Sequence, residues 1–206
     1  MLIFIAGQKG GSFKSTLARA LTVESKKAEL DVFLADFDPQ QQTSFKWSQR
    51  RSKAGLKPDI EVSVFHRVDT LMRAAEGRQV TVVDGGPHAS EHTLQCALRA
   101  NLVLIPTGTS IDDLEPALNL GRELQAKGVQ KILFAITKAT SSEREIQAAR
   151  DNIAAFGFAC ADSSIRFTTA YSKAQDNGLA ISETRYESLN SPVQALLQSV
   201  FDHMKA

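Results

Sequence analysis

The segment Gly7-Gln8-Lys9-Gly10-Gly11-Ser12-Phe13-Lys14-Ser15-Thr16 follows the apolar run 2–6 and opens what reads as a helix. A buried strand that turns through glycines directly into a helix constrains the fold more than any other feature of this chain. Backbone N–H groups of such a turn, and of the helix end that follows, point at a common spot and favour an anion there. Lys14 adds a point charge. The pattern G-x-x-x-x-G-K-[ST] asks for glycine immediately before the lysine, and here that residue is Phe13.

Further apolar runs rich in β-branched and aromatic residues recur at 32–35, 60–65, 80–83, 102–105 and 132–136. Most are apolar throughout instead of alternating, which suits central strands of a parallel sheet covered on both faces. Helical patterns lie between them. One covers 15–28, and another covers 111–127 and stops at Gly128. Ser142 and Glu145 spell a capping box, after which Ile146, Ala149, Ile153 and Phe156 form an apolar stripe ending at Gly157. The order predicts an α/β fold: a doubly wound, mostly parallel central sheet with helices on both faces, in a single domain over residues 1–206.

In such a fold ligands sit beyond the carboxyl ends of the strands. After the second run comes Asp36-Phe37-Asp38-Pro39-Gln40-Gln41, and after the fourth comes Asp84-Gly85-Gly86-Pro87. A nucleotide triphosphate and its Mg²⁺ need phosphate donors, oxygen ligands with supporting carboxylates, and a group that positions water. Lys14 and the loop amides suit the first need. The Ser15 hydroxyl and Asp84, directly or through a water, suit the second. Asp38, on a turn stiffened by Pro39, suits the third. One aspartate after a strand is weak evidence alone; the loop, the Asp-x-Asp and Asp84 in this order are far more specific.

On these residues the chain resembles the ParA/MinD group of P-loop ATPases with a deviant Walker A motif, most of all its small single-domain partition proteins. The group's K-G-G-x-G-K-[ST]-[ST] is met by residues 9–16 at all places but Phe13. Its D-x-D-P-Q is met by Asp36 to Gln40, and its strand-end aspartate by Asp84. Ile105-Pro106 and Asp113 fit a further stretch, with Thr109 and Ile111 where prolines are common. Thr168 stands three residues before Tyr171, where the group often carries arginine; Arg166 is nearby. The resemblance spans at least residues 1–140.

It implies ATP and Mg²⁺ as cofactors, with Lys9, Gly10, Gly11, Ser12, Phe13, Lys14, Ser15 and Thr16 around the phosphates. Ser15, Asp38 and Asp84 would serve the metal. Lys9, Lys14 and Asp38 would act in hydrolysis, Lys9 by reaching across a homodimer that sandwiches two nucleotides. The ATP-bound dimer would bind DNA without sequence preference and associate with the nucleoid. A ParB-like DNA-bound or cargo adaptor would stimulate hydrolysis, and the outcome would be plasmid or chromosome partition, or cargo positioning.

Phe13 leaves two readings open. If its φ is positive, a side chain there adds a penalty on the order of 1 kcal/mol, and a clash with a phosphate would add several times that. A ring turned outward would spare the nucleotide. A ring that closes the pocket would make the chain a degenerate, nucleotide-independent binding module. An enzyme of the same fold acting on a small molecule is a third reading, with no substrate motif to support it.

The net charge of +1 demands no nucleic acid, so any such contact must come from a local patch. Residues 45–57 carry Lys46, Arg50, Arg51, Lys53 and Lys57 and no acid; on a helix, Lys46, Arg50 and Lys53 share a face. A phosphate-contacting stripe and a solvated helix face both fit. Trp47 reads as a packing residue. Cys96 and Cys160 are too few for a disulfide framework or zinc site and read as buried free thiols. No run is long enough for a membrane span or signal peptide, so a cytoplasmic protein without membrane partners is expected. Val193, Leu196, Leu197, Val200, Phe201 and Met204 lie at helical spacing with little basic flank, which favours packing on the sheet over membrane binding.

Overall fold

The computed structural model describes residues 1–8, 11, 13–86 and 91–205. The element order is β1 (Leu2–Ile5), α1 (Lys14–Lys27), β2 (Val32–Phe37), α2 (Thr43–Lys53), β3 (Val62–Val64), α3 (Val68–Ala75), β4 (Val80–Gly85) and α4 (Glu91–Arg99). There follow β5 (Leu102–Thr107), α5 (Ile111–Ala126), β6 (Ile132–Ala139), α6 (Glu143–Ala155), β7 (Ala159–Cys160), β8 (Ile165–Arg166), α7 (Thr169–Asp176), a 3-10 turn (Ile181–Glu183) and α8 (Glu187–Lys205). The strands line up as β3-β2-β4-β1-β5-β6-β7, with β8 also on β6. Every pairing is parallel.

Period-two alternation sends neighbouring residues of β1 to opposite cores. Leu2 and Phe4 join Leu71 of α3, Ala97 of α4, Leu118 of α5 and Ile153 of α6. Ile3 and Ile5 join Leu17 and Leu21 of α1, Trp47 of α2, Tyr171 of α7 and Val193 and Leu197 of α8. Continuous apolar strands are thus the sequence image of a sheet covered on both sides. The apolar face of α8 packs on the sheet, as its pattern predicts, and no described helix is long and apolar enough to cross a membrane. Ser142 caps α6 by accepting from the Glu145 N–H at 3.3 Å.

Several boundaries differ from the sequence reading. Asp36 and Asp84 do not follow their strands but lie inside them, because the β2–β4 ladder continues through Asp36 opposite Asp84 and Phe37 opposite Gly85. The expected strand 60–65 shrinks to Val62–Val64, an edge strand bonded only to β2. Two-residue strands β7 and β8 carry too little pattern to be read in advance. Cys96 is buried, but Cys160 is only half-buried; burial pushes their thiols up to about 12 and about 11.

The basic segment is divided. Lys46, Arg50 and Lys53 are exposed on α2, whereas Arg51 is 1 % exposed and points inward. There it meets the turn after α7. Gly178 has φ +81, and a Cβ on it would stand 2.6 Å from both Arg51 Cα and N. Gly178→Ala is therefore expected to lower stability by about 2 kcal/mol, read by urea unfolding, through both the left-handed backbone and the clash. An unchanged midpoint would mean the two segments do not pack this closely.

Candidate functional site

The carboxyl ends of β1, β2 and β4 and the start of α1 surround a cleft of about 610 Å³ lined by Gly11, Phe13, Lys14, Ser15, Thr16, Arg19, Asp38, Gln41, Arg50 and Gln175, among others. Lys14 opens α1 and is 7 % exposed. Burial lowers its pKa, while Asp84 and Asp38 pull it back up, so its ammonium belongs to a field set by those two carboxylates. Of the loop residues implicated by sequence, Gly11, Phe13, Lys14, Ser15 and Thr16 come together here. Lys9, Gly10 and Ser12 lie outside the described residues.

Asp84 is the most unusual group. It is 1 % exposed at the centre of the sheet's edge. Its Oδ2 accepts from the Ser44 hydroxyl at 2.7 Å, and its Oδ1 is buried without a well-formed hydrogen bond. The nearby Ser15 hydroxyl stabilises the carboxylate's charge but does not close that gap. Burial dominates and pushes the Asp84 pKa up to about 6, helped by Asp36 and opposed by Ser44, Ser15 and Arg19. A buried carboxylate oxygen with no partner, beside a serine hydroxyl, fits an oxygen-preferring cation or its water. No group of three or more His, Cys, Asp or Glu among the described residues could hold a metal alone. Mg²⁺ does not require one, since it binds through one or two carboxylates, waters and substrate phosphates.

Asp36, opposite Asp84 in the ladder, does a different job. Its Oδ2 accepts from the N–H groups of Ser44 and Phe45, each at 2.9 Å, and its Oδ1 from Asp38 N–H at 3.1 Å. It therefore caps α2 from the strand eight residues earlier and shapes the turn that carries Asp38. Burial raises its pKa, and these three backbone donors oppose the rise. Asp38 Oδ1 accepts from Gln41 N–H at 3.1 Å, and the residue lines the cleft beside Lys14.

Phe13 takes φ 66 and ψ 11, the left-handed conformation that glycine adopts freely. Its ring packs edge-on against Phe167 at 6.4 Å, with the Lys138 ammonium 5.9 Å from its centroid. Lys138 is the penultimate residue of β6 and Phe167 follows β8, on the opposite side of β1 from Asp84 and Asp38. The ring thus leans toward the β6 and β8 side of the cleft that Phe13 lines.

The remaining residues singled out by sequence take structural parts. Trp47 is fully buried and donates its indole N–H to Leu179 C=O at 3.1 Å. Thr168 caps α7, accepting from Ala170 N–H at 3.3 Å. Exposed Arg166 pairs with Glu143 at 2.8 Å. Asp113 accepts from the Ser110 hydroxyl at 3.0 Å in the first turn of α5.

Sequence reasoning missed Arg19, Ser44 and Gln175. Arg19 is 4 % exposed; burial, with Arg50, lowers its pKa to about 10 against the pull of Asp84 and Asp36. A signal was present: Arg19 is the one cation inside the run Leu17-Ala18-Arg19-Ala20-Leu21. A charge within an apolar helix stretch must find buried partners.

Comparison with known proteins agrees with this geometry. Residues 3–181 match the family described as the CobQ/CobB/MinD/ParA nucleotide binding domain. No curated protein matches the chain. Among solved structures, the cell division ATPase MinD of Pyrococcus furiosus superposes with a TM-score of 0.80 at 17 % identity, covering 98 % of each chain. The septum site-determining protein MinD of Pyrococcus horikoshii, complexed with Mg-ADP, gives 0.79 at 17 % identity over 100 % of this chain and 98 % of that one. A putative plasmid partition protein of Borrelia burgdorferi bound to AMPPNP gives 0.74 at 16 % identity, with 98 % of each chain covered. The parallel sheet, the loop at its edge and the matched residues together make this chain a member of the CobQ/CobB/MinD/ParA nucleotide-binding family.

Proposed function

We propose that the protein binds Mg-ATP and hydrolyses it at the β–γ bond, as a partition or cargo-positioning ATPase. The observation that carries this reading is the conformation of Phe13. Its backbone takes the left-handed conformation open to glycine, and its ring packs toward Phe167 and Lys138 at one side of the cleft. A ring held there leaves room beside Asp38 and Ser15 for a phosphate chain. The Mg-ADP and AMPPNP bound to the two similar proteins are consistent with such a ligand.

In this reading Lys14 and the loop amides bind the phosphates and neutralise their charge. Ser15 and Asp84 hold Mg²⁺, which when bound supplies charge stabilisation at the phosphoryl oxygens. Asp38, fixed by Gln41 and by the Asp36-capped turn, orients the attacking water. Lys9 reaches the phosphates of a second copy in a nucleotide-sandwich dimer. Ile111 and Phe167, 76 % and 58 % exposed near the same edge of the sheet, supply apolar surface for that contact. The exposed Lys46, Arg50 and Lys53 offer a backbone-contacting stripe for DNA, with affinity that falls steeply as salt rises. A DNA-bound adaptor would stimulate turnover.

Calorimetric titration of ATP with Mg²⁺ into the wild type and the Phe13→Gly variant tests the reading. Micromolar binding by both, within about ten-fold of each other, is expected. Binding by the glycine variant alone would identify Phe13 as a lock and the chain as a nucleotide-independent module.

A further inference from the structure

We propose that Arg19 is a positioning residue that fixes the Asp84 carboxylate for the cation of a bound nucleotide and ties its orientation to α7. The inference rests on the nucleotide reading above and adds to it a regulatory connection.

Asp84 has one oxygen open and one held. The holder, the Ser44 hydroxyl, has a single proton and rotates about its own bond, so something must decide where that proton points. Arg19 decides it. Its Nε donates to Ser44 Oγ at 3.3 Å, and a hydroxyl that accepts from a cation on one side must direct its proton elsewhere. The direction taken is Asp84 Oδ2, at 2.7 Å. Oδ1 is then the oxygen left for a cation or its water.

The guanidinium is itself immobilised. Nη2 donates to Thr43 C=O at 2.8 Å and Nη1 to Gln175 Oε1 at 2.8 Å, while the plane lies 5.6 Å from the Trp47 centroid. All three nitrogens are therefore engaged in a fixed fork, which a lysine cannot reproduce. Gln175 belongs to α7, and its Oε1 also accepts from the Thr16 hydroxyl at 3.2 Å. One oxygen on α7 thus holds both the arginine and the helix that carries Lys14 and Ser15. A displacement of α7 would release both, and the carboxylate would lose its orientation together with the start of α1.

A buried arginine that merely staples α1, α2 and α7 would affect stability and nothing else. The two roles separate in the dependence of nucleotide affinity on the cation. ATP is titrated into the full chain with Mg²⁺ and again with EDTA, for the wild type, Ser44→Ala, Arg19→Lys and the double variant. Expected are an EDTA affinity of Ser44→Ala within about two-fold of wild type and a gain from Mg²⁺, taken against each variant's own EDTA affinity, reduced about ten-fold in each single variant. The double variant should be no worse than the worse single one, because the arginine acts through the serine. Ser44→Ala leaves the Thr43 and Gln175 bonds of Arg19 in place, so the test survives if Arg19→Lys fails to fold. Variants that melt earlier but keep the wild-type Mg²⁺ gain would overturn the proposal and leave a staple. A wild type with no affinity for ATP in either buffer would overturn the nucleotide reading and this proposal with it.

Discussion

Asp84→Asn is expected to make the ligand-free protein more stable at neutral pH by about 3 kcal/mol while abolishing the response of nucleotide binding to Mg²⁺. The folded protein holds this carboxyl at about 6 against an ordinary value of 3.8, so it prefers the neutral acid. That preference contributes fully below pH 3.8 and is lost as pH rises through about 6. Beyond that, the buried charge is a burden worth about two pH units, or about 3 kcal/mol. Asparagine keeps the shape and never ionises. Urea unfolding of both proteins should therefore agree near pH 4, separate between about pH 4 and pH 6, and differ by a constant amount above that, with the variant more stable. Curves that stay parallel over the whole range would show that the carboxylate carries no such strain. A cation reverses the preference, since it favours the ionised form. Mg-dependent nucleotide affinity of the wild type should accordingly fall below about pH 6, where proton and cation compete for the same oxygens.

Arg51→Ala is expected to destabilise the protein by about 3–5 kcal/mol without touching the cleft beside Lys14. The guanidinium donates to Glu183 through Nη1 at 2.6 Å and Nη2 at 3.0 Å, and also to the carbonyls of Lys57, Pro58 and Gly178. Removing it strands the nearly buried Glu183 carboxylate, which would keep only the Ala180 N–H at 2.8 Å and Lys27 at 3.7 Å. Much of the loss should return in Arg51→Met combined with Glu183→Gln, where no charge is left unpaired. A loss below about 1 kcal/mol for Arg51→Ala would place the pair in water, against its burial.

These two residues mark the limits of what the sequence discloses. Asp84 is legible because its signal is local: a hydrophobic strand ending in an acid, in fixed order after a glycine loop and an Asp-x-Asp. The central strands and the ends of α1, α5 and α6 are legible for the same reason. Arg51 is not. It sits among four other cations in one basic segment, and only the approach of the turn after α7 separates it from Arg50 beside it. Arg19 with Gln175, and Asp36 as the cap of α2, are likewise pairings between distant elements. Ser44 is hidden because a serine in the first turn of a helix looks like an ordinary capping residue. The conformation of Phe13 is half-legible: the motif fixes the left-handed backbone, but Phe167 and Lys138 determine where the ring goes.

Placing β1 at the middle of the sheet has a consequence for how the protein comes into being. Its four residues pair with β4 on one side and β5 on the other, Leu2 against Thr81 and Ile3 against Leu102. Neither partner exists until most of the first half of the chain has been made, and both ring closures cost entropy before the pairing returns anything. The glycine loop hangs from the end of that strand. A growing chain that stops short of β5 would carry every residue of the anion cradle and still have no rigid edge to mount it on. Competence to hold an anion would then arrive late and all at once.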